Sequence, residues 1–207
     1  MTSTEAPAAL PRSFFRRSTV EVARALLGHL LVRSAGGRLL VARIVETEAY
    51  VGEDDPACHA ACGRTARNAV MYGPPGHAYL YFTYGMHHCL NVVTGREGYP
   101  AAVLIRAAEP LEGVERMRAL RGMGEGGAAR DNLVASGPAR LCQALGLDRR
   151  HNGLDLTDAA SELHLARAGR RRSERIGVSG RVGIRVATGR PWRFFIEGNP
   201  HVSRGPR

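Results

Sequence analysis

The sequence predicts one mixed α/β (α+β) domain, and three observations lead there. The chain has 207 residues, a length that suits a single hydrophobic core. Hydrophobic residues make up 44% and charged residues 23%, the balance of an ordinary packed domain. Runs of β-branched and aromatic residues come in pairs joined by glycine-containing turns, which reads as antiparallel hairpins, and capped apolar segments at helical spacing stand around them.

Residues 1–11 (MTSTEAPAALP) are small, polar and marked by proline, so a disordered tail is expected there and a single domain over 12–207. A helix follows. Ser18-x-x-Glu21 is a capping box, Val22, Ala25, Leu26 and Leu30 recur near helical spacing, and Gly28 offers a stop. Segments 29–33 and 39–50 read as strands of a hairpin closed at 34–37. Residues 51–63 read as a loop, 65–72 as a short helix, and 73–76 (GPPG) as a turn. Segments 79–84 and 87–93 flank Gly85-Met86, and glycine at the first central position suits a two-residue type II′ turn. A strand over 101–107 and a helix over 112–121 come next, then a helix over 138–145 with Pro138 in its first turn and Gly146 past its end. Strands are expected near 181–186 and 193–197. Residues 122–127 (GMGEGG) satisfy G-x-G-x-x-G but follow an arginine-rich helix instead of a buried strand, so they read as a flexible loop and no dinucleotide cofactor is expected.

All 29 basic residues are arginine, and the absence of lysine excludes a Schiff-base or pyridoxal-phosphate lysine, a P-loop and a Ser-Lys hydrolase. The net charge of +10 is uneven: residues 167–207 hold 11 arginines against Glu174 and Glu197. Such a segment suits a polyphosphate partner, because the arginine fork grips phosphate oxygens in pairs and binding releases counterions. A merely solubilising surface is the plainer reading of the same charge. Cys58, Cys62, Cys89 and Cys142 do not make a disulfide framework. Cys58-His59-x-x-Cys62 resembles half of a zinc site, but no second pair follows, and no metal is expected. No run of 18 apolar residues occurs and residues 1–10 lack the order of a secretory signal, so a soluble intracellular protein with no membrane partner is expected.

Side chains alternate along a strand, so Glu46, Glu48 and Tyr50 should share one face of 41–50. A carboxylate beside an aromatic floor can orient or deprotonate water, and the ring can support a flat or cationic group. His59 lies in the following loop. The hairpin at Gly85-Met86 holds Tyr79, Tyr81 and Tyr84 with His87, His88 and Asn91, and interleaved polar and aromatic groups at a turn suit base stacking.

Longer stretches carry a resemblance: LLGHLLVR (26–33), ARIVETEAYVGEDDPACHA (42–60), GRTARN (63–68), YGPPGHAYLYFTYGMHHCLNVV (72–93), AVLIRAAEPLEG (102–113), SGPARLCQALGLDR (136–149) and RFFIEGNPHVS (193–203). Together they resemble the alkyladenine (3-methyladenine) DNA glycosylases, over about 26–202. The resemblance implies a single domain around an antiparallel curved β-sheet with surrounding helices and a protruding hairpin. It implies Glu48 as the general base that activates water and Arg106 as the basic group beside it and the flipped nucleotide's phosphate. Tyr50, His59 and Tyr81 would line the purine pocket, Asn91 would act as a gate against the 2-amino group of guanine, and Tyr84 would be the wedge that fills the duplex. Thr65-Ala66 stands where that family often has Thr-Pro, outside the implied pocket.

The implied activity is that of a monofunctional purine DNA glycosylase without lyase activity. It would act, as a monomer without a cofactor, on double-stranded DNA containing 3-methyladenine, 7-methylguanine, ethenoadenine or hypoxanthine. Its place would be the nucleoid in a bacterium and the nucleus otherwise. Two other readings use the same residues. One is a non-catalytic nucleic-acid binder. The other is a glycoside hydrolase with Glu46 and Glu48 as its carboxylate pair, although residues i and i+2 on one strand approach a sugar from one side only.

Overall fold

The computed structural model describes residues 7–83, 85–124, 128–168, 170 and 173–204. Among these, eight strands form one antiparallel sheet: β1 (Leu30–Ala35), β2 (Arg38–Val51), β3 (Ala78–Thr83), β4 (His87–Val93), β5 (Ala101–Glu112), β6 (Leu163–Ala166), β7 (Ile176–Ser179) and β8 (Arg193–Ile196). The order is β3-β4-β5-β2-β1-β6, with β8 paired to both β2 and β7. The long strand β2 organises the sheet. One edge pairs with β5 from Val41 to Val51, while the other pairs first with β1, up to Arg43, and then with β8 at Glu46–Glu48. Helices α1 (Arg12–Phe15), α2 (Thr19–Ala25), α3 (Val114–Leu120) and α4 (Pro138–Ala144) complete a mixed α/β domain around a curled sheet.

Two irregularities between β2 and β5 decide which side chains face where. Ile44 pairs with Ala108 and Glu46 with Ala107, which leaves Val45 as an extra residue, and the next step from Ala107 to Ile105 leaves out Arg106. An inserted residue reverses the alternation beyond it. Leu40, Ala42 and Ile44 face the main core before the bulge, and Val45, Ala49 and Val51 face it afterwards. Glu46, Glu48 and Tyr50 are thereby turned to the opposite face. On neighbouring strands Leu80, Leu90, Val92, Val103 and Ile105 join the core, while Tyr79, Tyr81, Cys89, Asn91, Leu104 and Arg106 open on the other side. Helix α2 packs on β2 and β5, and α4 on β4 and β5, with Phe15, Val22, Leu26 and Leu141 fully buried between. Each such side chain contributes roughly 1.5–3 kcal/mol relative to exposure.

The cap of α2 forms as its sequence requires: Ser18 Oγ accepts the Glu21 backbone N–H at 3.3 Å and donates to Glu21 Oε2 at 2.7 Å. Several expectations are corrected. Within the segment expected to be disordered, residues 8–10 dock on β6, because Leu10 N–H bonds the Leu165 carbonyl at 2.7 Å, Arg167 N–H bonds the Ala8 carbonyl at 2.7 Å, and the Leu10 side chain is buried. The hairpin loop is one residue longer than a two-residue turn. Thr83 pairs with His87 and Met86 N–H reaches the Thr83 carbonyl, so Gly85 is not the first residue of the turn. Residues 65–72 form only a 3₁₀ turn at Ala69–Tyr72. Strand β5 runs on to Glu112, since the long β2 continues to offer it partners. The strand expected near 181–186 lies earlier, at β7; residues 181–190 are irregular, and their backbone is used by the site described below. Part of the glycine segment 122–127 lies outside the described residues.

Gly113 joins β5 to α3 at φ +72°, where a Cβ would stand 2.5 Å from Leu40 Cδ2 and 2.7 Å from the Leu39 carbonyl oxygen. Strain of this kind costs about 1–3 kcal/mol. Gly113→Ala should therefore lower the urea unfolding free energy by about that amount, and an unchanged midpoint and slope would show that the loop relaxes freely.

Candidate active site

The face of the sheet opposite the main core holds a cavity of about 390 Å³. Its walls include Tyr50, His59, Met71, Tyr79, Tyr81, Asn91, Arg106 and Val182. Strand alternation supplies most of them. Tyr79 and Tyr81 come from β3, Cys89 and Asn91 from β4, and Leu104 and Arg106 from β5, at i and i+2 spacing in each case.

Glu48 lies behind this wall, fully buried, and three wall residues bond its carboxylate. Val182 N–H donates to Oε1 at 2.7 Å, while Tyr50 Oη donates to Oε2 at 2.9 Å and Arg106 Nη1 to the same oxygen at 3.3 Å. Burial pushes the Glu48 carboxyl above the usual range, and this outweighs the opposing pull of Arg106, the Val182 amide and the Tyr50 hydroxyl; the nearby Glu46 adds to the rise. Burial works against the charge of Arg106, but the carboxylates of Glu48 and Glu46 overcome it and hold the guanidinium protonated.

Glu46 has a different environment. Its Oε1 accepts from Arg106 Nε at 2.8 Å, Arg193 Nε at 2.7 Å and Ser203 Oγ at 2.9 Å, and its Oε2 accepts from Ser203 N–H at 2.7 Å. A carboxylate so engaged anchors Arg106 and the segment at Ser203; it is fully buried and is not part of the cavity wall. The bulge at Arg106 aims that side chain between the two glutamates.

The aromatic side of the cavity is built on contacts among rings. His59 meets Tyr81 edge-on with centroids 4.3 Å apart, and its Nδ1 lies 2.9 Å from Tyr79 Oη. Burial, with Arg67 nearby, lowers the His59 pKa, so the ring is neutral at neutral pH. Burial likewise raises the phenols of Tyr50, Tyr79 and Tyr81, which stay protonated. Asn91 Nδ2 donates to the Tyr79 carbonyl at 3.0 Å and more weakly to that of Cys89 at 3.4 Å, which fixes the amide. Asn68 ties the His59 loop down through the carbonyls of His59 and Gly63, both at 2.9 Å.

The residues singled out by the sequence therefore converge: Tyr50, His59, Tyr81, Asn91 and Arg106 line one cavity, and Glu48 stands directly behind three of its wall residues. Tyr84 lies outside the described residues. Sequence reasoning missed Val182, Arg193 and Ser203, and it named Tyr79 in the aromatic hairpin without placing it in the pocket. The i−2 relation to Tyr81 could have placed Tyr79 there, but the others are brought in from sequence separations above 130 residues for Val182, and above 140 for Arg193 and Ser203. Among the described residues no cluster of three or more His, Cys, Asp or Glu side chains is placed to hold a metal ion.

A family model for methylpurine-DNA glycosylase matches residues 13–200. The chain belongs to the methylpurine-DNA glycosylase family. Proteins named "Putative 3-methyladenine DNA glycosylase" are similar over nearly the whole length. The one from Methanocella arvoryzae is 50% identical over 94% of this chain and 96% of its own. That from Carboxydothermus hydrogenoformans is 49% identical over 94% and 98%. That from Burkholderia lata is 48% identical over 96% and 92%. Membership of the glycosylase family makes the protein a hydrolase of N-glycosyl compounds that acts on DNA in base excision repair. No helix among the described residues is long and apolar enough to cross a membrane.

The raised pKa of Glu48 makes a stability prediction for this glycosylase. The folded state binds the Glu48 proton more tightly than the unfolded chain, so the group's contribution is greatest below the ordinary carboxylate pKa and is lost as pH rises through the raised value. Glu48→Gln cannot titrate. Measured by urea unfolding across a pH series, the variant should gain on the wild type as pH climbs through that window. A difference independent of pH would show that the carboxylate is not destabilised by burial.

Proposed function

We propose that the protein is a monofunctional purine DNA glycosylase that extrudes alkylated or deaminated purines from duplex DNA into this cavity and hydrolyses the N-glycosidic bond. The observation that carries the reading is the buried Glu48 carboxylate, held by Tyr50, Val182 and Arg106 at the wall of an aromatic cavity. A stacked base hides its glycosidic bond, so chemistry requires extrusion at a cost of a few kcal/mol that damage reduces. Tyr84, between β3 and β4 in the sequence, is assigned as the wedge that offsets this cost. The exposed side chains of Phe82 and Met86 on the same hairpin supply apolar surface for the duplex.

In the reaction, water attacks C1′ as the sugar acquires oxocarbenium character. The C1′–N bond breaks with its electron pair leaving on the base, and the water proton passes to ionised Glu48. Arg106 balances the charge of the two glutamates and meets the phosphate of the extruded nucleotide. Cationic bases such as 3-methyladenine and 7-methylguanine already leave readily and gain from electron-rich rings. Neutral bases such as hypoxanthine and ethenoadenine need a hydrogen-bond donor as well. A neutral His59 and the backbone amides around it are the donors available. With no lysine in the chain, no imine forms at C1′ through a lysine and the product is an intact abasic site. The protein acts on double-stranded DNA as a monomer.

Glu48→Gln keeps the shape of the side chain and removes the base. Assayed on duplex oligonucleotides bearing one hypoxanthine, followed by alkaline cleavage at abasic sites, excision should fall by at least about 10²–10⁴-fold while DNA binding persists. Near-normal turnover would eliminate Glu48 as the base, and a protein that binds DNA but never excises would be the non-catalytic binder.

Guanine differs from hypoxanthine by its 2-amino group, and the fixed amide of Asn91 is the proposed discriminator. A guanine there would clash or leave a buried polar group unpaired, at about 1–3 kcal/mol. Asn91→Ser should then raise excision from G:T relative to hypoxanthine:T duplexes. An unchanged ratio would move the discrimination elsewhere.

A further inference from the structure

Arg181 takes no part in the reaction proposed above and does not line the cavity, yet its side chain is wholly enclosed beside it. Its guanidinium makes a two-point ion pair with Asp55, Nη1 to Oδ2 at 2.5 Å and Nη2 to Oδ1 at 2.8 Å, and Nη1 also donates to the Ala49 carbonyl at 3.0 Å. Asp55 is fully buried and organises its own loop through the Val51 and Ala57 amides. Arg181 Nε has no hydrogen-bond partner among the described residues. The group lies instead against aromatic faces, with Cζ 4.7 Å from the Tyr50 centroid and 5.2 Å from that of Trp192.

A staple between the loop before His59 and the segment that carries Val182 would need only the ion pair. The position over Tyr50 adds an electrostatic consequence. An aromatic ring attracts cations through the negative charge of its π face, and the same π density serves both faces. Tyr50 belongs to the cavity wall, and Arg181, absent from that wall, lies over a face of its ring. A guanidinium there draws on the π density and repels a second positive charge across the ring. Asp55 offsets the charge of the pair but leaves the cation as the member over the face.

We propose that Arg181 sets the balance between cationic and neutral purines, holding its charge behind Tyr50 so that the cavity face of that ring favours positively charged bases less than an unopposed tyrosine would. The inference rests on the reading that an extruded purine stacks on Tyr50. In that setting Arg181 is a specificity-determining residue that acts through another side chain. Its presence broadens the enzyme toward neutral deaminated bases at the expense of alkylated cationic ones.

The test compares excision of 7-methylguanine, which is cationic, with hypoxanthine, which is neutral, in otherwise identical duplexes at saturating enzyme. Asp55→Asn with Arg181→Met removes both charges together and avoids an orphaned buried ion. The cationic-to-neutral rate ratio should rise about threefold or more over wild type, the scale of a lost repulsion at one aromatic face. Arg181→Lys keeps the charge and should keep the ratio within about twofold even where both rates fall. Asp55→Asn alone keeps the shape of the side chain and one of its two acceptor oxygens but leaves the cation uncompensated, and it should lower the ratio; this variant carries the test if the double variant does not fold. A purely structural role would depress both rates in proportion. An unmoved ratio in a folded double variant, or an unchanged or raised ratio in Asp55→Asn, overturns the inference while the glycosylase reading stands. A wild-type protein that excises neither purine overturns both.

Discussion

Two carboxylates, Glu46 and Glu48, sit fully buried two residues apart on the strand that every other part of the sheet is built around. Withdrawing an ion from water costs several kcal/mol even after relaxation, and two like charges on one strand add their repulsion. The surroundings answer that cost. Arg106 reaches both groups, Arg193 and Ser203 bind Glu46, and the Val182 amide and Tyr50 hydroxyl bind Glu48. Compensation is unequal. Glu46 collects four donors that include two guanidinium groups, whereas burial still prevails at Glu48 and raises its pKa. Two chemically identical side chains thus differ in environment because their partners differ.

Compensation of this kind also explains the path of the chain end. β8 takes over the edge of β2 where β1 departs, and this brings Arg193 opposite Glu48 in register and within reach of Glu46. The chain then returns so that Ser203 donates twice to Glu46. Residues 181–190 stay irregular, which leaves the Val182 amide free of a ladder and able to point at Glu48. A regular strand there would have committed that donor elsewhere. The aromatic wall follows a parallel logic. Tyr79 and His59 share a hydrogen bond, and the rings of Tyr79, Tyr81 and His59 meet one another, so each side chain is held in place at the cavity wall.

Much of the site was legible because strands alternate. The period of two placed Glu46, Glu48 and Tyr50 on one face without knowledge of any neighbour, and the same rule explains why Tyr81 and Asn91 join them from β3 and β4. The N-cap at Ser18 and the stop before Gly28 were equally local, and the helix formed between them, although Glu21 bonds the Ser18 hydroxyl and not its backbone N–H. Local reasoning failed where a distant surface supplied the energy. Residues 8–10 look disordered in isolation, yet an open edge at β6 satisfies their backbone and Leu10 finds a pocket in the core.

The sequence by itself determined the antiparallel character of the sheet, the face that carries the two glutamates and the tyrosine, and, through long ordered identities, the family. It could do so because hydrophobic period, caps and turn residues act over a few positions. Only the tertiary structure decided how the two glutamates are partnered, where Arg106 points, and that Arg181, paired with Asp55, packs against Tyr50. Those outcomes depend on the extra residues at Val45 and Arg106 and on partners from distant parts of the chain, several of them more than a hundred positions away. Charge compensation in a buried site is settled by what folds against it, and no short-range pattern in the chain encodes that distance.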